Sequence, residues 1–476
     1  MTGWFKQLKG QTYPLDRLAL GLICLLSVVV GLLILSGDRT YAKVREFSWA
    51  QQTVGAEDTA FTLTFNRPMN WQSVTQQLQI APPLPGKTSW SGKRFAYTLT
   101  QPIPYGKSFQ LNLAKATSSL GATVEPFSAT FKSRDLAFAY IGVNGDEAGR
   151  LILYNQTRAQ KTVLTPPNLV VLRFKAYPKG DRLLFTATER AAPNAAPVGE
   201  MNAKLYRVTT GLASESKSGD LETVLDNKDA QILKFDLSAD GERIVWQQAT
   251  RQNMSETGFW QKVQDKAPER IDIAGTGDFL IAPDSQTVVV AQGQGLAVVP
   301  LNQNGSGKSL DFLPQFGMVL NFARDGSAAT MVKFNTDYTR SLYLVANPGT
   351  PTELLRIKGS ILSTVFTPQR DALYCLLTRL LPGKDYREVP YLLKIDLKTR
   401  QQTELLSLNN QRDVSISLSP DNATLLFDQA LTGAENRPSA ADGIEPRNLW
   451  SLDLNSQTAP ATPTIVTAGT APQWLP

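Results

Sequence analysis

The chain has 476 residues, of which 42% are hydrophobic and 19% charged, and a formal net charge of +6. It has no histidine and only two cysteines, which removes the commonest general base and metal ligand, every Ser-His-Asp or Cys-His arrangement, and any disulfide framework. Residues 1–45 hold six Lys or Arg against two acids, so only +2 is left for the other 431 residues; no basic stripe follows from that, and nucleic acid is not an expected partner.

The first predicted element is Leu18 to Leu35, eighteen residues without a charge. As a helix it would be about 27 Å long, close to the roughly 30 Å hydrocarbon core of a bilayer. The competing reading is a signal peptide cleaved near Thr40-Tyr41-Ala42, but its apolar region is expected to run only about 7–15 residues. The expectation is therefore a short tail at 1–17, an uncleaved transmembrane anchor at 18–36 and a linker at 37–46. Lys6, Lys9 and Arg17 face Arg39, Lys43 and Arg45 across it. The short tail argues for a cytoplasmic N-terminus with the bulk periplasmic or otherwise extracytoplasmic.

Residues 47–134 read as a β-sandwich. Apolar and polar residues alternate in Thr59 to Phe65, Phe95 to Leu99, Ser108 to Leu113 and Phe127 to Phe131, with Gly/Pro-rich turns between them. The order Phe61-Thr-Leu-Thr-Phe-Asn-Arg-Pro-Met-Asn70, Leu78-Gln-Ile-Ala-Pro82, Trp90-Ser-Gly92, Pro102-Ile-Pro-Tyr-Gly106, Phe127 to Phe131 resembles the bacterial Ig-like domain first named from surface-layer proteins (SbsA type). The resemblance implies a spacer or adhesion module and no chemistry.

From residue 135 onward one line returns six times: apolar strand, tight polar turn, apolar strand. Its clearest copy is Ile232 to Trp246, and the turn positions Lys179, Asp240, Asp284, Asp325, Gln369 and Asp421 are spaced by 61, 44, 41, 44 and 52 residues. A period of roughly 40–50 residues is that of a four-stranded propeller blade. The strands Ala137 to Val143, Leu151 to Tyr154 and Lys161 to Leu164 lack the opening line, while 471–476 looks like an opening strand with nothing after it. A C-terminal strand 471–476 that joins the first blade removes two open sheet edges. The expected fold is thus all-β: one N-terminal transmembrane helix, an Ig-like β-sandwich, and a seven-bladed β-propeller over 135–476. The repeated Ser-x-Asp-Gly and Pro-Asp turns resemble the TolB-like, WD40-like bacterial propellers. Asp240, Asp284, Asp325 and Asp421 read as turn residues, each alone on its blade, and not as metal ligands.

No catalytic, cofactor-binding or metal-binding residue is expected. Gly305-Ser-Gly-Lys-Ser309 has the tail of a phosphate-binding loop, yet Asn302 stands where the motif needs glycine. Cys375, in the apolar run Ala372 to Leu377, reads as a buried small hydrophobe. The blades are interrupted at 189–203, 210–219, 379–390 and 431–447, and interruptions in repeat arrays map to loops, often on a binding face. Arg379, Lys384, Tyr386, Arg387 and Glu388 are the candidate partner contacts. The leading expectation is a non-catalytic, membrane-anchored envelope protein that acts as a protein-interaction scaffold through its propeller. One alternative is a cell-wall or polysaccharide-binding module, which would show an exposed aromatic platform drawn from Trp260, Tyr338 and Tyr386. The other is a hydrolase or enzyme-gating propeller, which would need three or more carboxylates at the central channel.

Overall fold

The computed structural model describes residues 14–35, 41–190, 202–212, 217–226, 230–253, 256–273, 277–301, 311–346, 349–383, 386–408, 413–430, 446–455 and 462–476. The tail before residue 14, most of the interruptions at 189–203 and 431–447, the loop at 305–309 and Lys384 lie outside them. A helix spans Pro14–Leu35. Side chains are described for its residues 18–31, and those of Leu18, Leu20, Ile23 and Leu25 are more than half exposed. Among the described residues no helix is long and apolar enough to cross a membrane.

The rest divides into two compact units, one holding most of the sandwich strands and the other residues 132–476 together with Thr53–Thr59 and Leu99–Ser108. The sandwich has two four-stranded sheets. In spatial order these are Val44–Phe47, Ala60–Phe65, Arg94–Leu99 and Gly86–Ser91, and Thr53–Val54, Phe127–Ser133, Ser108–Leu113 and Leu78–Ala81. Alternation works as the residues dictate: Phe61, Leu63 and Phe65 are buried, while Thr62 and Thr64 between them are half-buried. Phe47 and Trp49 meet Phe131 of the opposite sheet at 5.9 and 5.3 Å, and Phe109 stacks on Phe131 at 5.1 Å. Such ring pairs contribute about 0.5–1.5 kcal/mol each beyond their buried area.

Two corrections apply here. The unit begins before residue 47, because Val44–Phe47 is a strand and Ala42 is already buried against a bridge to Val124. Trp71–Gln77 is a short helix that strand alternation did not suggest, started by Asn70, whose side chain accepts from the Ser73 amide at 3.2 Å.

Seven four-stranded sheets make up the remainder of the described residues. Their end strands are Thr470–Trp474, Leu169–Ala176, Ala230–Leu237, Phe279–Ile281, Met318–Phe322, Ile361–Phe366 and Ile416–Leu418. Numbered in that order, the first sheet combines Thr470–Trp474 with Ala137–Ile141, Leu151–Asn155 and Gln160–Val163. The end strands lie beside one another in a cycle. Thr470–Trp474 flanks both the second and seventh, the third through seventh follow in turn, and Lys175 and Asp236 join the second to the third. This is the arrangement of a β-propeller. The C-terminal strand runs 470–474, slightly earlier than the expected 471–476, with Leu475 hydrogen-bonded onward to the Ala137 carbonyl.

The six returning turns share one hydrogen-bond scheme. In each, the residue after the aligned position is left-handed: Gly180, Gly241, Ser285, Gly326, Arg370 and Asn422 have φ between 58° and 74°. Its amide donates to the carbonyl three residues before, at 2.9–3.0 Å in all six. Where the turn carries Asp, the carboxylate closes its own loop. Asp284 accepts from the Gln286 and Thr287 amides at 2.8 and 2.9 Å, Asp240 from the Glu242 amide at 3.0 Å, and Asp421 from the Ser419 hydroxyl at 2.6 Å. The aspartates recur because the turn recurs.

Candidate functional site

Neighbouring strands in each sheet of the ring are antiparallel, so the turns from first to second strand and those from second to third lie at opposite ends of the ring. The six repeated turns mark one end. At that end a cavity of about 390 Å³ lies among the end strands. Its rim carries Pro178, Pro283, Pro420 and Pro476, and its wall carries Leu237, Leu280, Phe322 and Leu418.

The polar groups of that wall are bonded to neighbouring strands. Asp236 is 3% exposed. Its carboxylate accepts from the Lys175 ammonium of the strand before and from the Ile281 amide of the strand after, the latter at 2.8 Å. Asn321 donates to the Thr364 carbonyl at 2.8 Å. Nearby Ser417 accepts from the Trp474 amide at 2.9 Å. Lys175, Asp236, Asn321 and Ser417 each stand two residues before the residue that opens the turn, so this position ties successive end strands together. Asp236 is the one side-chain carboxylate among the residues lining the cavity, and no group of three His, Cys, Asp or Glu among the described residues could hold a metal ion.

The other end carries the residues expected to meet a partner. The interruptions at 189–203, 379–390 and 431–447 all fall between a second and a third strand, and the flanking strand ends Glu189, Lys204, Ala430 and Arg447 are at this end. The interruption at 210–219 falls between a third and a fourth strand, at the cavity end.

In the sixth sheet much of the expected loop is a continued hairpin. Ala372–Leu380 pairs with Glu388–Asp396 out to Leu380 opposite Glu388. Arg379 and Glu388 are therefore strand residues, a correction that follows from uninterrupted pairing on either side of 381–387. They also point to opposite faces. The Arg379 guanidinium lies over the Tyr391 ring at 4.7 Å and pairs with Glu404 at 2.6 Å. Glu388 faces the fifth sheet: its carboxylate accepts from the Thr378 hydroxyl at 2.5 Å and from the Tyr386 hydroxyl, with the Arg340 guanidinium 4.0 Å away. Burial acts to raise the Glu388 pKa, but the hydrogen bonds from Thr378, Tyr386 and Ser360 and the charge of Arg340 outweigh it and hold the group below its usual range. The Tyr386 hydroxyl is raised, first by that hydrogen bond. Its ring is 71% exposed. Arg387 is exposed beside it.

The structure adds residues from the fifth sheet. Ala328–Phe334 and Arg340–Ala346 are joined by a tight turn in which Tyr338 has φ +62° and is 91% exposed. Asp337 holds the turn by accepting from the Thr339 hydroxyl at 2.6 Å and from Arg356 at 2.6 Å. Arg340 donates to the Gly359 carbonyl at 2.8 Å and thereby bridges toward the sixth sheet. Arg340 was not legible as a site residue, since nothing local marks it; the one signal was a turn that requires a left-handed residue and has tyrosine there instead of glycine or asparagine. Of the other aromatic candidates, Trp260 is half-buried and packs into the core with Phe235 and Trp246. Cys375 is fully buried, and burial pushes its thiol pKa up, away from the range of a reactive thiolate.

No protein-family model matches the sequence, and no curated protein matches it. Among solved structures it is similar to an oligogalacturonate lyase from Vibrio parahaemolyticus, at 12% identity and TM-score 0.44, over 68% of this chain and 95% of that one. It is also similar to TolB from Acinetobacter baumannii, at 11% identity and TM-score 0.40, over 86% and 88%.

Proposed function

We propose that this protein is a non-catalytic binding scaffold of a bacterial envelope, held at the membrane by its N-terminal helix. In this reading an Ig-like sandwich serves as spacer, and a closed seven-bladed ring presents the end with the second-to-third-strand turns to a partner. The observation that carries it is positional. Three of the four interruptions of the repeat fall at one end of the ring, and that end also carries the exposed Tyr338 and Tyr386. Exposed tyrosine and arginine on rigid hairpins suit binding, because they offer large contact area at low conformational cost. The cavity at the opposite end supports a structural role, its Lys175, Asp236 and Asn321 side chains being bonded between end strands. The exposed leucines and isoleucine of the helix support an anchor, since apolar side chains with no protein cover are favourable in a bilayer.

The test places a photo-crosslinking amino acid at Tyr386 or at Asp284, one at each end, in the full chain in native membranes. Partners captured from position 386 and not from 284 are expected. Capture from both alike, or from neither, overturns the reading.

A further inference from the structure

The facing hairpins of the fifth and sixth sheets carry an unusual pairing of exposed rings with a charged centre. Their exposed large hydrophobic side chains are all aromatic: Phe334, Tyr338 and Tyr386. Tyr338 and Tyr386 enter no ring pair with another aromatic among the described residues. Between the hairpins stands a polar pair, Arg340 and Glu388, 4.0 Å apart, rather than an aliphatic contact. A protein interface usually places apolar groups at its centre and charge at its rim, and this patch has the reverse order. Sugars match it. A pyranose ring has C–H faces that lie flat on tyrosine, while its hydroxyls both donate and accept and so satisfy an arginine and a carboxylate together.

The sign of the ligand follows from the cations. Lys358 precedes Gly359, whose carbonyl accepts from Arg340; it is exposed and has no acidic partner among the described residues. The nearby carboxylates are engaged, Asp337 by Arg356 and Glu388 by Thr378 and Tyr386. The patch is therefore electropositive, and guanidinium groups bind carboxylates in a directed, two-point geometry. The left-handed Tyr338 adds a separate argument. A tyrosine there is strained relative to glycine, and an exposed, strained side chain that packs on nothing is not there for the fold.

We propose that Tyr338, Arg340, Tyr386 and Glu388, with Lys358 beside them, form a binding site for an anionic polysaccharide. Sugar rings stack on the two tyrosines and carboxylates reach the free Lys358 ammonium. The proposal rests on the reading of this end as the binding end and names one ligand for it.

The experiment measures binding of the full chain in detergent to alginate, a linear uronate polymer, with neutral amylose and poly-L-glutamate as comparators. Saturable, salt-sensitive binding to alginate is expected, with little to amylose or poly-L-glutamate. Tyr338→Gly and Tyr386→Ala should each weaken it about tenfold, the factor for loss of one good contact. Tyr338→Gly relieves backbone strain, so its unfolding curve should be unharmed and lost binding cannot be laid to misfolding. No binding to alginate, unchanged binding in both variants, or equal binding to poly-L-glutamate overturns the proposal. If crosslinks from position 386 persist while alginate fails, the sugar is wrong and the binding end stands; if both fail, both readings fall.

Discussion

The carboxylate of Asp428 accepts a hydrogen bond from the Thr470 hydroxyl at 2.5 Å, across 42 residues of sequence. The same carboxylate accepts from the Ala471 amide at 3.0 Å and from the Ser415 amide at 2.6 Å, and it is fully buried. It therefore ties the seventh sheet to the strand that completes the first. Asp428→Ala leaves these donors without a partner and should cost on the order of 3 kcal/mol. In hydrogen exchange, the amides of Thr470–Trp474 and of their partner strand Ala137–Ile141 should lose protection first. Uniform loss over all sheets would show that Asp428 is not a latch.

The Lys175 and Asp236 pair predicts a non-additive cycle. Lys175→Met leaves a buried carboxylate short of its counter-charge and should cost about 1–2 kcal/mol, below the figure for a fully buried pair because the Lys175 side chain is 39% exposed. Asp236→Ala should cost more, since the Ile281 amide also loses its acceptor. Denaturant unfolding of the double variant should show less than the summed loss. Strict additivity would mean the two groups do not interact.

The turn aspartates should act alone. Asp284→Ala and Asp421→Ala should each cost about 1 kcal/mol, and together they should add within about 0.5 kcal/mol because they share no partner. Neither should alter the response of unfolding to a chelator. A chelator-dependent change in the parent and not in the variants would reinstate metal binding at the turns.

Tyr338→Gly removes a left-handed non-glycine residue whose strain is about 1–2 kcal/mol, offset by about 0.5–1 kcal/mol of extra chain entropy in the unfolded state. The variant should be as stable as the parent or up to about 1 kcal/mol more so by denaturant titration. A clear loss would mean the ring packs on something in solution.

Glu388 gives a pH prediction. Its folded pKa lies below the unfolded value, so ionisation stabilises the fold. That contribution is present above the unfolded carboxylate range near about 4.3 and is lost as pH falls through the depressed folded value. Compared with Glu388→Gln, the parent should hold its advantage at neutral pH and lose it in acid. A difference between the two that does not change from pH 7 to pH 3 would remove the ionised Glu388 from the account.

Much of the fold was legible because its signals are local. A left-handed residue after Asp, Gln or Lys with a short-range hydrogen bond needs only neighbouring residues, and it repeats six times; the alternation at Phe61, Leu63 and Phe65 is equally short-ranged. The candidate site was legible in part. Tyr386 and Glu388 do come together, but Arg379 shares their segment and faces Glu404 on the opposite face, because successive strand residues alternate and the strand runs on through 380. The helix Trp71–Gln77 was missed because its short polar run carries no helical stripe of apolar residues.

The sequence by itself determined the period, the turn chemistry, the absence of histidine and the apolar N-terminal run, all of which reside in composition or in contacts a few residues long. Only the tertiary structure decided that Asp236 spans three end strands, that Asp428 holds the strand at 470–474, and that Arg340 meets Glu388. Those contacts join residues 42 to 61 positions apart. Their partners are chosen by how sheets pack around the ring, and no local pattern in the chain records which side chains that packing brings within reach.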